Sequence, residues 1–131
     1  MLNVEIYNAA LALISQRIGS SDVADYEERA PYLIASFCNT AKSIDVDIRR
    51  AKNLTLQSKF SSVCLSLEDE FPLCEYLTSA ASLYVAAMLV IDEDEALSDS
   101  LYDKYCDSIS SMIALGYGSE SKSIIDMYDF D

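Results

Sequence analysis

The chain has 131 residues, of which 51% are hydrophobic, so it suits one domain with a core of its own and is not disordered by composition. Three glycines and two prolines are too few for a turn-rich β-sandwich and favour helices. A net charge of −13 repels nucleic-acid phosphates and anionic lipid heads, and the lack of histidine excludes Ser-His-Asp and Cys-His catalysis.

The charge is uneven. Residues 1–64 hold seven Lys/Arg and seven Asp/Glu, whereas residues 65–131 hold two Lys and fifteen acids. Solubility explains an acidic surface at no further cost. A basic protein partner, or a lining along which DNA slides without sticking, explains it more sharply. The four cysteines, Cys38, Cys64, Cys74 and Cys106, form no C-x-x-C pair. Cys38, Cys74 and Cys106 fall in or beside apolar helical patterns and read as reduced, small core residues of a cytosolic protein. Residues 1–19 lack the basic start of a secretory leader and carry Glu5 early, and neither end bears a lipidation motif.

Val4, Tyr7, Leu11, Ile14 and Ile18 recur at steps of three and four. This spacing predicts an amphipathic helix with Asn3 as its N-cap and Gly19 as its stop. Ser20, Ser21 and Asp22 then re-cap the chain. Val23, Tyr26, Ala30, Ile34, Phe37, Cys38, Ala41, Ile44, Ile48 and Ala51 keep one helical face to about Lys52, interrupted by Pro31. Proline removes a helical bond, so the stretch is one kinked helix or two pieces, and a short helix followed by a long one from Pro31 is the preferred reading. Asp45 and Asp47 stand two apart, share no helix face and are expected in solvent.

Residues 53–66 lack helical periodicity and read as a loop with room for a short extended piece. Lys42, Arg49, Arg50, Lys52 and Lys59 cluster around the end of the long helix, where the helix dipole favours cations. The sharper reading is a basic patch that meets an acidic neighbour, including the acidic half of another copy. The acids of "LEDEFPL" before Pro72 read as the start of a helix from about Pro72 to Ile91. From Ala80 to Ile91 only Ser82 is polar, yet the run is far shorter than the ~20 apolar residues that span a bilayer. It reads as a central helix buried on all faces.

The acids Asp92, Glu93, Asp94 and Glu95 re-cap the chain. Leu97, Leu101, Tyr105, Ile109, Met112 and Ile113 predict a last helix from about Glu93 to Leu115, ended by Gly116 and Gly118. The segment after it carries Ile124, Ile125, Met127, Tyr128 and Phe130, and either folds back on the domain or docks on a partner. The expected architecture is therefore all-α: a single small bundle of four to five helices over residues 1–115, with a buried central helix, and an extended C-terminal arm over 116–131.

Chemistry is sparse. There is no phosphate-cradling glycine loop, and an EF-hand register from Asp92 puts alanine at position 5, leucine at 6 and aspartate at 12. Di-metal bundles need Glu-x-x-His, which this chain cannot supply. Nine tyrosines offer amphipathic contact area, first of all at the boundary of the core. No catalytic, cofactor-binding or metal-ligating residue is expected, and an enzyme is the least favoured class.

"DYEERAPYLIASFC" (25–38) and "SLEDEFPLCEYLTSAASLYVAAMLVIDEDEALSDSLYDKYCDSISSM" (66–112) resemble small helical proteins from the structural modules of tailed phages and prophages, especially of Firmicutes. The shared features are Tyr26-x-x-Arg29-Ala30, a mid-chain L-x-D-E-x-P-L, an alanine-rich apolar helix, an acidic corner and a helix with spaced tyrosines. Such proteins are described as head–tail connectors, adaptors or neck proteins. The resemblance covers roughly residues 23–113 and implies a subunit of a homo-oligomeric ring below the portal, extending the DNA channel.

The expected partners are other copies of the chain, the portal protein and further neck or tail proteins. DNA would pass without specific binding, and no membrane is involved. The place would be the virion neck, and the host cytoplasm before assembly. Arg49, Arg50, Lys52, Lys59, Ile124, Ile125, Met127, Tyr128 and Phe130 are the expected partner-binding residues. A competing class is an acidic phage-encoded inhibitor that mimics DNA, although the acids cluster at helix starts and corners rather than at phosphate-like spacing. A plain cytosolic helical scaffold is a third.

Overall fold

The structure, a computed structural model, describes residues 1–14, 23–56 and 61–118. Four α-helices account for most of them: α1 (Asn3–Ile14), α2 (Val23–Ala51), α3 (Thr78–Leu89) and α4 (Glu95–Gly118). A 3₁₀ turn, Glu75–Leu77, leads into α3. No β-strand occurs among the described residues, where one isolated bridge joins Leu2 to Glu70. The chain is thus an all-α bundle with α3 at its centre, packed against each of the other three helices.

Named contacts fix the directions. Near its start, α2 meets the end of α3 and the corner before α4: Tyr26 bonds Glu93, and Arg29 bonds the carbonyls of Met88 and Leu89. Midway, Phe37 packs on Tyr84 of α3 and Tyr105 of α4. Near its end, Asp45 and Arg49 reach Cys74 and Pro72, just before α3. So α2 and α4 run parallel and α3 runs opposite to both. At 1.5 Å per residue α2 is about 43 Å long, α4 about 36 Å and α3 about 18 Å.

Most of the predicted stripe of α2 is buried (Tyr26, Ala30, Ile34, Phe37, Cys38, Ala41 and Ile48), and Ile44 and Ala51 are half-buried. Those residues lie on both sides of Pro31, and α2 is one continuous helix rather than the two pieces expected. Burial of Ala30 and Ile34 in one core holds the turn on either side of the ring. Glu27, whose carbonyl loses its helical donor to Pro31, is exposed, where water can take that bond. The Pro31 carbonyl also accepts from the Leu65 amide at 3.1 Å. The helix ends at Ala51, one residue from the expected position, and Asn53 follows at φ 56°, a left-handed value that asparagine tolerates.

α3 is shorter than the expected Pro72–Ile91 helix, because a 3₁₀ turn precedes it and Val90 leaves it. Ala80, Ala81, Val85, Ala86, Ala87 and Leu89 are buried, and the alanines let the longer helices come close. Ser82 is buried too, its hydroxyl bonded to the Thr78 carbonyl at 3.0 Å. Exposed Ser79 and half-buried Leu83, Tyr84 and Met88 make the burial less than complete.

Two further helix starts differ from expectation. Asn3 is the first residue of α1 rather than its cap, and it is fully buried. The loop before Pro72 supplies the cap: the Asn3 and Val4 amides donate to the carbonyls of Asp69 and Leu67, both at 2.9 Å, and Asn3 Nδ2 donates to Ser66. "LEDEF" therefore caps α1 instead of starting a helix. α4 begins at Glu95, with Asp94 Oδ1 accepting from the Leu97 amide at 3.0 Å as an N-cap does. It runs on through Gly116 to Gly118, three residues past the expected end of the bundle. The expected helix stop at Gly19, the re-capping at 20–22 and the extended arm after Gly118 lie outside the described residues.

Candidate functional site

The acidic corner and the basic cluster fall at opposite ends of the bundle. The corner, residues 91–95, joins α3 to α4. The Arg29 guanidinium donates to the last α3 carbonyls, at 2.9 Å to Met88 and 3.4 Å to Leu89, where a helix end favours a cation. The hydroxyl of buried Tyr26 donates to the Glu93 carboxylate, and the Glu93 and Asp94 amides both close on the Val90 carbonyl. Ser98 Oγ bonds the Ala87 carbonyl at 2.9 Å behind them. Tyr26, Arg29 and Ala30 thus act as one joint: a bond to the corner, a cap on α3 and a close contact. Asp92 and Glu95 remain exposed, with Ile91 46% exposed beside them.

At the other end, the expected partner-binding residues divide. Arg49 is turned inward. Its Nε lies 3.0 and 2.9 Å from the two oxygens of Asp45, and its terminal nitrogens reach the carbonyls of Thr55 at 2.9 Å and Pro72 at 3.5 Å. Asp45, expected in solvent, is 2% exposed and also accepts from the Cys74 amide at 2.7 Å. The carboxylate is buried because it lies on the stripe of Ala41 and Ile48, and its charge is matched by Arg49. Arg49 therefore pins the loop before α3 to α2.

Arg50 and Lys52 are exposed, with the Lys52 ammonium 5.8 Å over the Tyr76 ring. Leu54 and Leu56 follow at 44% and 49% exposure. These four residues form a basic and apolar shoulder. Lys59, Ile124, Ile125, Met127, Tyr128 and Phe130 lie outside the described residues.

The thiols divide as well. Cys38 and Cys74 are buried; Cys64 and, against expectation, Cys106 are exposed, and all four are free. Burial pushes the Cys38 thiol up to about 12, with Asp45 adding to it, and burial and a bond to Asp45 push Cys74 up to about 11. Both stay protonated at neutral pH, the unreactive form. Between the two ends, Phe37, Tyr84, Tyr105 and Tyr102 form an aromatic column with centroid spacings of 5.3 to 6.1 Å. Burial, with Tyr102 and Tyr84 beside it, pushes the Tyr105 hydroxyl up to about 12. No group of three potential metal ligands and no helix long and apolar enough to cross a membrane occurs among the described residues.

Sequence reasoning missed the Asp45–Arg49 pair, although its i, i+4 spacing on a buried stripe was there to read. It missed the role of Arg29 because a cap on another helix leaves no local signal. Comparison of the chain with protein-family models, curated proteins and solved structures gives no match.

Proposed function

We propose that this chain is a structural subunit of a tailed-phage or prophage head–tail connector, assembling head to tail into a ring below the portal. The supporting observation is the polarity of the bundle. Arg50 and Lys52 are exposed at one end, and Asp92 and Glu95 at the other. From the level of Tyr26 to that of Arg50, α2 spans roughly 36 Å, so the two ends of one copy cannot meet. Between copies they can, and a repeated contact of unlike patches is the heterologous kind that closes into rings. The resemblance of residues 23–113 to neck proteins supplies the assembly, and segment 119–131 is the arm that engages the portal or a neighbouring subunit.

The test is capture of the tagged protein from cells producing particles, with cross-linking and mass spectrometry. The expected result is cross-links from the Lys42–Lys59 region or from 119–131 to a large portal-like protein and between copies. Recovery of a host nuclease or DNA-binding protein without any virion component overturns the reading and favours the acidic inhibitor. Deleting residues 119–131 is expected to abolish assembly into particles while leaving the helical signal of the bundle.

A further inference from the structure

The shoulder formed by Arg50, Lys52, Leu54 and Leu56 is apolar as well as charged. Leu54 and Leu56, one residue apart, are 44% and 49% exposed beside two cations, and among the described residues neither Arg50 nor Lys52 makes an ion pair. The acids of the same end, Asp47 and Glu75, form none with them. The surface calls for an occupant that is both acidic and apolar.

Such a segment starts at this end of the bundle. α4 runs parallel to α2, and Tyr105 is level with Phe37. The thirteen residues from Tyr105 to Gly118 carry α4 about 20 Å toward the end where α2 stops. α4 also packs on the 3₁₀ turn, whose Tyr76 lies under Lys52. The sequence that follows Gly118 holds Ile124, Ile125, Met127, Tyr128 and Phe130, interleaved with Asp126, Asp129 and Asp131; Glu120 and Lys122 precede them. At up to ~3.6 Å per residue its thirteen residues can reach about 47 Å, and the step from Gly118 to Ile124 can reach about 22 Å. Packed helix axes stand about 8–10 Å apart, so the shoulder is in range. A short tether holds the segment at roughly millimolar effective concentration near its own shoulder, above that of any free copy.

We infer that residues 119–131 dock on the shoulder of their own chain in the free subunit, with the apolar side chains against Leu54 and Leu56 and the aspartates facing Arg50 and Lys52. This deepens the reading of the segment as an assembly arm, and rests on it only for what the released arm engages. A partner must then displace the arm before using it, which keeps unassembled copies from joining early.

The test uses the full chain. Copies labelled with ¹⁴N and ¹⁵N are mixed and treated with a zero-length carbodiimide. Lys52 is expected to couple to Asp126 or Asp129 within one copy, giving peptide pairs of a single isotope. R50E/K52E is expected to speed chymotryptic cleavage at Tyr128 about tenfold, and adding D126R/D129R to restore the slow rate. L54S/L56S, which leaves the charges intact, is expected to speed the cleavage about threefold. Mixed-isotope pairs alone would assign the segment to a second copy and overturn the inference. Cleavage indifferent to the charge reversals would overturn it too. The measurement needs no virion, so an arm held as described in a protein that never enters particles would defeat the connector reading and leave this one standing.

Discussion

Arg49 lies along the Asp45 carboxylate with its Nε within 3.0 Å of both oxygens, and the Cys74 amide donates to Oδ1 of the same carboxylate at 2.7 Å. One buried acid therefore joins α2 to the loop that launches the central helix. Removing one member of a buried pair costs about 3–5 kcal/mol, because the other is left uncompensated. Asp45 is the more deeply buried, with side-chain exposure of 2% against 18% for Arg49. Arg49→Ala strands the buried acid, whereas Asp45→Asn leaves a cation that can turn toward water. Urea titration is expected to show Arg49→Ala destabilised by about 3 kcal/mol and Asp45→Asn by about 2 kcal/mol. Equal stability of wild type and Arg49→Ala would contradict this account of the pair.

Arg29 holds the opposite end through two carbonyls of α3. Lysine keeps the charge but brings one compact ammonium in place of a planar fork. The side chain is 35% exposed, so the loss is modest: about 1 kcal/mol for Arg29→Lys and about 1–2 kcal/mol for Arg29→Ala. The effect is expected to be local. The Glu93 and Asp94 amides, which close the corner on Val90, should lose hydrogen-exchange protection before the middle of α2 does.

These two joints show why helices are easier to read from a sequence than their fastenings. The stripe Tyr26–Ile48 and the run Ala80–Val90 report their own burial through spacing, so the core and the central helix were legible. Pro31 misled because the cost of a missing helical bond is local, whereas the burial of Ala30 and Ile34 that holds the helix together is tertiary. Asp45 misleads because a second acid two residues on suggests a solvated pair, whereas its step from Ala41 and to Ile48 puts it on the buried stripe. The cap on α1 comes from carbonyls more than sixty residues away, a partner that no local pattern names. At the basic end, composition picked out the cluster but could not separate Arg49, turned inward, from Arg50 and Lys52, turned outward.

The buried thiols and Tyr105 predict an alkaline limit to stability. Cys38 moves from 9.0 to about 12, Cys74 from 9.0 to about 11 and Tyr105 from 10.0 to about 12, in each case chiefly through burial. In every case the fold binds the proton more tightly than the unfolded chain does. The contribution is therefore full below pH 9 for the thiols and below pH 10 for Tyr105, and is lost as pH rises toward 11–12. Within that window each group removes up to about 1.4 kcal/mol per pH unit. Urea midpoints are expected to fall from pH 9 to pH 11, and Cys38→Ala, whatever its own cost at pH 7, is expected to fall less steeply. An unchanged slope in that variant would show that Cys38 does not contribute.

Phe37 makes the most severe core prediction. Its ring is fully buried, and its centroid lies 6.0 Å from Tyr84, 6.1 Å from Tyr105 and 6.4 Å from Phe71, so one side chain touches α3, α4 and the loop before the 3₁₀ turn. Phe37→Ala removes the transfer energy of the ring and leaves a cavity that three separate elements would have to move together to fill, at a cost of about 3–5 kcal/mol. Phe37→Leu keeps much of the volume and loses the ring contacts, at about 1–2 kcal/mol. For a bundle of this size 1 kcal/mol corresponds to roughly 4 °C in Tm, so the alanine variant is expected to melt about 12–20 °C lower. Tyr105→Leu removes a ring from the same column. Combined with Phe37→Leu it is expected to cost less than the sum of the two, since the second substitution deletes contacts already lost. Additive losses in the double variant would mean that the rings pack independently and that the column is not a unit.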